Sequence, residues 1–254
     1  NFTTAKNEVT ETNNGLITGG FYGIPGQSIT RFEKGYTPGY FYGYQTNGLF
    51  QNQDEIDASS AQPGAQPGDI RFTDINKDGK IDANDRTQIG DPFPDFTMGW
   101  GLNLEYRGFD FSTFVYASSG NDIYRAYERN LAMTNKYRGV LGRWTGEGST
   151  NDARYPRYSF VDGNNNTRAS DRYVEDGSFI KIKDLQLGYS FQSAILKKAK
   201  INRLRIYAQV KNAFTFTRYS GYDPEISGGI FDTGIDRGIY PQARTWSAGL
   251  DLKF

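Results

Sequence analysis

The sequence predicts an all-β fold, an antiparallel transmembrane β-barrel portion with long loops at one end. Tyr and Phe each occur 18 times and Gly 30 times among 254 residues, a composition that suits pleated sheets and turns. Several segments alternate apolar and polar residues over roughly the length of a tilted membrane strand. Very short turns alternate with long polar stretches between these segments, which is the asymmetry of outer-membrane barrels.

The clearest predicted hairpin surrounds Gly108. The apolar residues of its first strand share one face: Phe96, Met98, Trp100, Leu102, Leu104 and Tyr106. Polar residues and glycines occupy the other face of that strand, from Thr97 to Arg107. The return strand places a second set on the apolar face: Phe109, Phe111, Thr113, Val115 and Ala117. This alternation predicts two antiparallel strands joined by a very short turn.

Three further segments show the same alternation, at 179–191, 204–216 and 246–254. The parity of the first slips at Asp184, which predicts a β-bulge. A Tyr-rich segment at 29–50 predicts another strand with a turn at Thr37-Pro38-Gly39. Long polar stretches separate these elements, and we expect them to form the extracellular loops.

Composition excludes several classes of function. Lys and Arg together number 29, as do Asp and Glu, so the chain lacks the basic excess of a nucleic-acid-binding protein. Cysteine and histidine are absent, which excludes thiol catalysis, a Ser-His-Asp hydrolase and a His-ligated metalloenzyme within this chain. No apolar run is long enough for a transmembrane helix, and no secretion signal opens the sequence. The chain is not expected to be an enzyme.

The segment 74–85 matches an EF-hand-type calcium loop. The predicted ligands are Asp74, Asn76, Asp78, Lys80, Asp82 and Asp85. Gly79 allows the sharp bend, and Lys80 is expected to contribute its backbone carbonyl. Asp85 stands where a bidentate Glu is usual, as in dockerin loops, so the choice between Ca²⁺ and Mg²⁺ stays open. The flanking sequences have β character, which favours a structural ion that fixes a loop over a calcium sensor; a solvated acidic turn is the alternative.

Several phrases in order along the chain resemble one family. They include "GYFYGYQTNGLF", "GDIRFTDINKDGKIDANDRTQIGDPFPDFTMG", "YVEDGSFIKIKDLQLGYSF", "LRIYAQVKNAFTFTRYSGYDPE" and "YPQARTWSAGLDLKF". They look like the C-terminal part of SusC/RagA-type TonB-dependent outer-membrane transporters of Bacteroidota. The resemblance implies a multi-pass barrel of the cell outer membrane that imports oligosaccharides or peptides with a SusD-like surface lipoprotein as a lid. Energy would come through TonB.

The resemblance also implies what this chain lacks. We count seven or eight strand candidates, too few for a large plugged barrel. Residues 1–254 would therefore be the C-terminal part of the barrel, with the plug, the N-terminal domains and the TonB-contacting region outside it. The last residues, Ser247–Phe254, resemble the signal that the barrel assembly machinery recognises, and the apolar strand faces would contact outer-membrane lipid.

Other interpretations stay open. A soluble, calcium-stabilised β binding module, such as a carbohydrate-binding or adhesin domain, would bury the apolar strand faces as a core. Asp171, Glu175 and Asp176 form an acidic cluster that is more typical of loop charge than of a glycosidase pair. A short helical loop element is predicted within 124–144, whose aromatic residues either pack against the barrel rim, which we favour, or contact sugars or the lid: Tyr124, Tyr127, Tyr137 and Trp144.

Overall fold

A computed structural model describes residues 1–13, 15–21, 27–128, 136–191, 196, 200–226 and 228–254. Its strands, in chain order, are β1 Phe2–Thr4, β2 Ile17–Phe21, β3 Ser28–Phe32, β4 Tyr40–Tyr44, β5 Thr46–Leu49, β6 Ile70–Phe72, β7 Arg86–Gly90, β8 Phe96–Tyr106, β9 Phe109–Ser119, β10 Asp122–Arg125, β11 Val174–Asp176, β12 Phe179–Phe191, β13 Arg203–Thr217, β14 Ile235–Asp236 and β15 Thr245–Lys253. A short helix, α1, spans Gln53–Asp57, and 3₁₀ turns span Ala83–Asp85, Arg138–Gly142 and Asp171–Tyr173. None of these described helices has the length and apolar character needed to cross a membrane.

Six strands form one large antiparallel sheet in the order β1-β8-β9-β12-β13-β15. The predicted alternation holds, because apolar residues lie opposite one another from strand to strand, as in the pairs Trp100↔Val115 and Ile206↔Leu250. These side chains are largely exposed, for example Trp100 at 49% and Leu250 at 57%. A long antiparallel sheet with an exposed apolar face is typical of strands that face lipid.

Local turn chemistry explains the end of the sheet where the connections are short. Arg107 and Gly108 have φ of 47° and 89°, so β8 and β9 are joined by the two-residue turn with positive φ at both positions that matches strand twist. The predicted β-bulge is also present, since the pairing register of β12 shifts between Ile182 and Asp184 on both sides. Asn212, on the facing part of β13, has φ of 50°.

The described residues of three segments, 5–95, 120–178 and 218–244, lie at the other end of the large sheet and fold together; we call them the cap. The cap contains the sheets β2-β3-β4-β7 and β11-β10-β14 and the pair β5-β6. In the second of these sheets, β10 pairs with β14 in parallel through Tyr124↔Ile235. The Tyr-rich segment 29–50, a barrel-strand candidate in the sequence, is therefore part of the cap, with its turn before Tyr40 as predicted.

The buried hydrophobic clusters of the described residues lie in the cap. One cluster joins residues of all three cap segments: Ile29, Phe41, Tyr124, Ala126, Tyr173 and Ile235. A second one lies beside it: Tyr44, Leu49, Ile70, Phe72 and Ile81, with Trp144 packed against it. Because apolar burial is the main favourable term in folding, these clusters hold the three cap segments as one body.

Candidate cation loop and ligand cavity

The first half of the predicted cation loop is wound by backbone donors onto Asp74. Its Oδ1 accepts a hydrogen bond from the N–H of Lys77 at 2.7 Å, and its Oδ2 accepts from the N–H of Gly79 at 2.9 Å. The hydroxyl of Ser60 donates to Oδ2 at 2.8 Å. Desolvation raises the pKa of Asp74, but the hydrogen bonds from Ser60 and Gly79 lower it further than that, so the pKa lies below its usual value. Asp74 is thus a carboxylate at neutral pH, as cation binding requires.

The second half of the loop closes through Asp82 and Asp85. The carboxylate of Asp85 accepts from the N–H of Asp82 at 2.7 Å, while Asp82 accepts from the N–H of Asn84 at 2.8 Å. This is a reciprocal capping box. Asp85 is fully buried and also accepts from the N–H of Ile75 at 2.9 Å. Asp85 therefore ties the end of the loop to its beginning.

The charge partner of the loop carboxylates is the side chain of Lys80, for which the sequence predicted only a backbone role. Its ammonium lies 2.9 Å from Asp82 and 3.8 Å from Asp78. Asn76 accepts from the N–H of Asp78 at 3.0 Å. Across the described part of the chain, no three acidic side chains converge as a group that could hold a metal ion. The loop has the turns and the ionised oxygens of a cation site, with Lys80 supplying the positive charge.

A cavity of about 350 Å³ opens in the cap between residues 125–128, 136–140 and 154–172. Among the described residues, six basic side chains line it: Arg125, Lys136, Arg138, Arg154, Arg157 and Arg172. Four tyrosines do so as well: Tyr127, Tyr137, Tyr155 and Tyr158. The acidic lining residues are Glu128 and Asp162. Its volume lies within the range of small-molecule sites.

Two of the lining arginines are buried. Arg172, 6% exposed, donates to Glu128 at 3.1 Å and to the carbonyl of Asn166 at 3.0 Å. Arg125, also 6% exposed, is paired with Glu175 at 3.1 Å and with Glu128 at 3.5 Å. The two buried guanidinium groups therefore share Glu128, and Glu175 adds a second carboxylate, so the charges of this pair are balanced. Desolvation lowers the pKa of Lys136, which lines the same space.

The aromatic residues singled out in the sequence separate into two pairs. Tyr124 is fully buried in the first cap cluster, and Trp144 packs against the second while donating to Gln51 at 3.2 Å. These two are packing residues, but they pack within the cap and not against the barrel rim, where the favoured interpretation placed them. Tyr127 and Tyr137 instead line the cavity, with ring centroids 5.1 Å apart. The predicted helical element is a 3₁₀ turn at Arg138–Gly142, and residues 129–135 of that stretch lie outside the described residues.

The three carboxylates of the acidic cluster each bind different partners. Asp171 accepts from the N–H and the hydroxyl of Thr46, and burial raises the pKa of this carboxyl. Glu175 accepts from Arg125 and from the hydroxyl of Ser220, whereas Asp176 accepts from the N–H of Ser178. Each carboxylate fixes a different part of the cap, which agrees with loop charge and not with a glycosidase pair.

No local pattern in the sequence predicts the arginine cavity. Arg125, Arg154 and Arg172 are far apart in the chain, and each looks like an ordinary charge of a polar loop. The available signal was the density of arginines in 154–172, where positions 154, 157, 168 and 172 are all Arg.

No protein-family model matches the chain. Curated relatives do: TonB-dependent receptor P3 of Formosa agariphila is 33% identical over 244 residues, which cover 91% of this chain and 24% of the relative. TonB-dependent receptor SusC of Bacteroides thetaiotaomicron is 29% identical, with 100% of this chain and 24% of the relative covered. The chain thus spans about a quarter of the length of these relatives.

Solved structures show the same fold. The RagAB peptide importer in its open-open state aligns with a TM-score of 0.69 at 20% identity, covering 97% of this chain and 25% of that one. A further RagAB peptide transporter structure gives a TM-score of 0.67. These relatives are receptors and transporters, in agreement with the prediction that the chain is not an enzyme. The family resemblance seen in the sequence is therefore confirmed, and the chain belongs to the SusC/RagA-type TonB-dependent receptors.

Proposed function

We propose that this chain is part of an outer-membrane transporter that imports oligosaccharides or peptides with energy delivered through TonB. The carrying observation is the large antiparallel sheet, whose apolar face stays exposed while a folded cap stands at one of its ends. Such a sheet suits a barrel wall in lipid, and such a cap suits the ligand-facing end of a transporter. The similarity to TonB-dependent receptors and to RagAB importers supports the proposal.

The partners follow from the same family. A SusD-like surface lipoprotein would cover the cap. TonB would act through a region outside residues 1–254, and the plug would also lie outside these residues. The apolar strand faces would contact outer-membrane lipid. The barrel assembly machinery would recognise Ser247–Phe254, whose apolar side chains continue the exposed face, with Leu252 46% and Phe254 78% exposed.

A structural cation forms a second part of the proposal. Calcium, or magnesium, would bind at the loop 74–85 through the carboxylates of Asp74, Asp78 and Asp82. One observation supports this role: the hydrogen bond from the N–H of Gly79 to the Asp74 carboxylate already holds the loop in its curved conformation. The ion would take over the charge pairing now made by Lys80. Asp85 closes the loop through backbone donors and would keep that role.

The alternative, a soluble calcium-stabilised β binding module, predicts a covered apolar face. In the described strands this face carries large exposed side chains, including Leu187 at 54% and Trp246 at 73%. That exposure favours the transporter.

The test uses the full-length protein in its own cells. Its band from outer-membrane extracts should shift between heated and unheated gels, and a strain lacking it should lose growth on an oligosaccharide or peptide nutrient that a TonB-deficient strain also cannot use. Phe254→Ser should reduce the heat-modifiable band. A soluble 28.6 kDa species without a heat shift would instead establish the binding module.

A further inference from the structure

We propose that the cap cavity binds a carboxylate-bearing sugar residue, so that the imported ligand is an acidic oligosaccharide. This inference rests on the proposed transport function and adds a substrate class to it. Positive charge is the first argument. Asp162 turns both its oxygens to the backbone N–H groups of Asn166 and Thr167, and Glu128 is shared by two arginines. Three more carboxylates pair with lining arginines from outside the cavity: Glu175, Asp152 and Asp69. Six basic groups thus face five carboxylates among the described residues, which leaves a small net positive charge.

The donors of the cavity are not all used within the protein. Arg172 lines the cavity with Nε buried, and no acceptor for that nitrogen exists among the described residues. Arg138 lines it too, with an exposed side chain that forms no ion pair or hydrogen bond to any described residue. A guanidinium fork matches the planar carboxylate geometrically and makes the strong, charge-assisted kind of hydrogen bond. A uronate carboxylate suits the exposed guanidinium of Arg138, whereas the Nε of Arg172 has no surface open to a ligand.

The tyrosines give the second argument, which concerns the ring of the sugar. Tyr155 lies against Gly139, where a β-carbon would stand 2.7 Å from the tyrosine hydroxyl, so the absence of a side chain at 139 leaves room for the ring beside the 3₁₀ turn. Tyrosine offers an apolar face for the C–H groups of a pyranose and a polar tip for its hydroxyls. Val140 and Pro156 are the sole aliphatic lining residues in the described part of the cavity, so apolar peptide side chains find little to pack on.

The cavity is small for a whole oligomer. Its volume of about 350 Å³ is near the lower limit of ligand pockets, so it accommodates one end or one residue of a chain. The remainder of the ligand would extend from the open side, near the exposed Arg138 and Tyr158.

Binding to the full-length transporter, purified in detergent as a heat-modifiable barrel, tests this inference by calorimetry. The probes are trigalacturonate, its methyl ester, which keeps the rings and removes the charges, and triglutamate. We expect trigalacturonate to bind more than tenfold more tightly than either other probe, with an affinity that falls as salt rises. Arg138→Gln should weaken trigalacturonate binding about three- to tenfold, because one charge-assisted contact is lost.

Arg143→Gln is the matched control, because Arg143 lies five positions away and does not line the cavity. Equal binding of acid and ester, or equal affinity of the Arg138→Gln and Arg143→Gln proteins, would overturn the inference. Tighter binding of triglutamate would replace the sugar with an acidic peptide and overturn it as well. None of these outcomes affects the proposed transport function, which fails only if no heat-modifiable barrel or TonB-dependent uptake is found.

Discussion

The ammonium of Lys181 lies 3.1 Å from both carboxylate oxygens of Asp223, although the lysine is only 1% exposed. Lys181 belongs to β12 of the large sheet, whereas Asp223 belongs to the cap segment 218–244. Glu225 adds a contact to Lys181 at 3.0 Å and a further one to Lys183. A buried ion pair thus holds the last cap segment on the barrel sheet.

Replacing Lys181 by Met should release that cap segment. The change leaves Asp223 as a buried charge without its ammonium, and breaking a buried pair in this way costs about 3–5 kcal/mol. Protease should cleave the folded protein faster within 218–244. Lys183→Met is the control, because Lys183 is 31% exposed and its carboxylate partner is Glu225 and not Asp223. Equal cleavage of the two variants would show that the pair does not anchor the segment.

The contacts of Glu225 with Lys181 and Lys183 should weaken in acid. Burial raises the pKa of Glu225, but hydrogen bonds from Lys183 and Lys181 outweigh this and hold the pKa below its usual 4.5. A lowered pKa in the folded state stabilises the contact above about pH 4.5, and this stabilisation is lost as pH falls through the folded value. Protease resistance of 218–244 should therefore stay constant from neutral pH down to about pH 4.5 and fall as the pH drops further. Glu225→Gln should remove the acid-dependent part of the change.

Replacing Tyr219 by Phe should loosen β14. The Tyr219 hydroxyl donates to Asp236 at 2.6 Å, and Asp236, 1% exposed, also accepts from the N–H groups of Gly238 and Ile239. Loss of a hydrogen bond to a buried charge costs about 1.5–3 kcal/mol, so the amides of 235–239 should exchange hydrogen faster. Tyr222→Phe, at an exposed position, should leave the exchange unchanged.

Alkali should act on the same contact. Burial and the neighbouring carboxylate of Asp236 raise the pKa of Tyr219 above its ordinary 10.0. The contribution to stability is therefore full below pH 10 and is lost as pH rises through the raised value. A loss of protection at a pH well below about 10, seen as exchange faster than the intrinsic amide rate explains, would contradict this assignment.

Calcium should protect the loop segment 63–92 from protease. An ion present at about 100 times its Kd contributes about 2.7 kcal/mol to the folded loop. Asp74→Ala combined with Asp78→Ala should abolish the protection, whereas Asp57→Asn, whose side chain bonds to Gln53 outside the loop, should retain it. Magnesium in place of calcium identifies the preferred ion. Equal digestion of the unmutated protein with and without either ion would exclude the cation site.

Replacing Gly249 by Ala should impair the last strand pair. In β15, Gly249 lies opposite Tyr207 of β13, and a methyl group at 249 would overlap the tyrosine ring. A rigid ring must then rotate off the strand, so the heat-modifiable fraction in outer membranes should fall. Gly101→Ala in β8 is the control, because a β-carbon there meets only ordinary contacts at 3.9 Å, and this protein should assemble normally. Normal assembly of the Gly249→Ala protein would show that Tyr207 moves without cost.

The sequence predicted the elements that depend on neighbouring residues. The alternation of Trp100 and Leu102, the Gly108 turn and the bulge at Asp184 are all local signals, and the structure contains each of them. The assembly of the cap was not predictable in this way. The parallel pair Tyr124↔Ile235 joins residues more than a hundred positions apart, and no local pattern specifies such a partner.

The candidate sites follow the same division. The cation loop is a single contiguous motif, so the turns at Gly79 and the role of Asp74 could be predicted from spacing. The ammonium of Lys80 beside Asp82 could not, because a side-chain rotamer is chosen by the charges around it. The cavity depends on Arg125, Arg138 and Arg172 meeting in space, and their separate positions in the sequence give no sign of that.

The shared core of the cap restricts how such proteins can diversify. Ile29, Tyr124 and Ile235 come from three different segments and are buried together in one hydrophobic cluster. A single segment grafted from a relative would bring its own core residues without the residues of the other two segments that pack against them. Recombination that changes ligand preference should therefore succeed when all three segments are exchanged as a set, while point changes on the cavity wall, which leave the core intact, offer the shorter route.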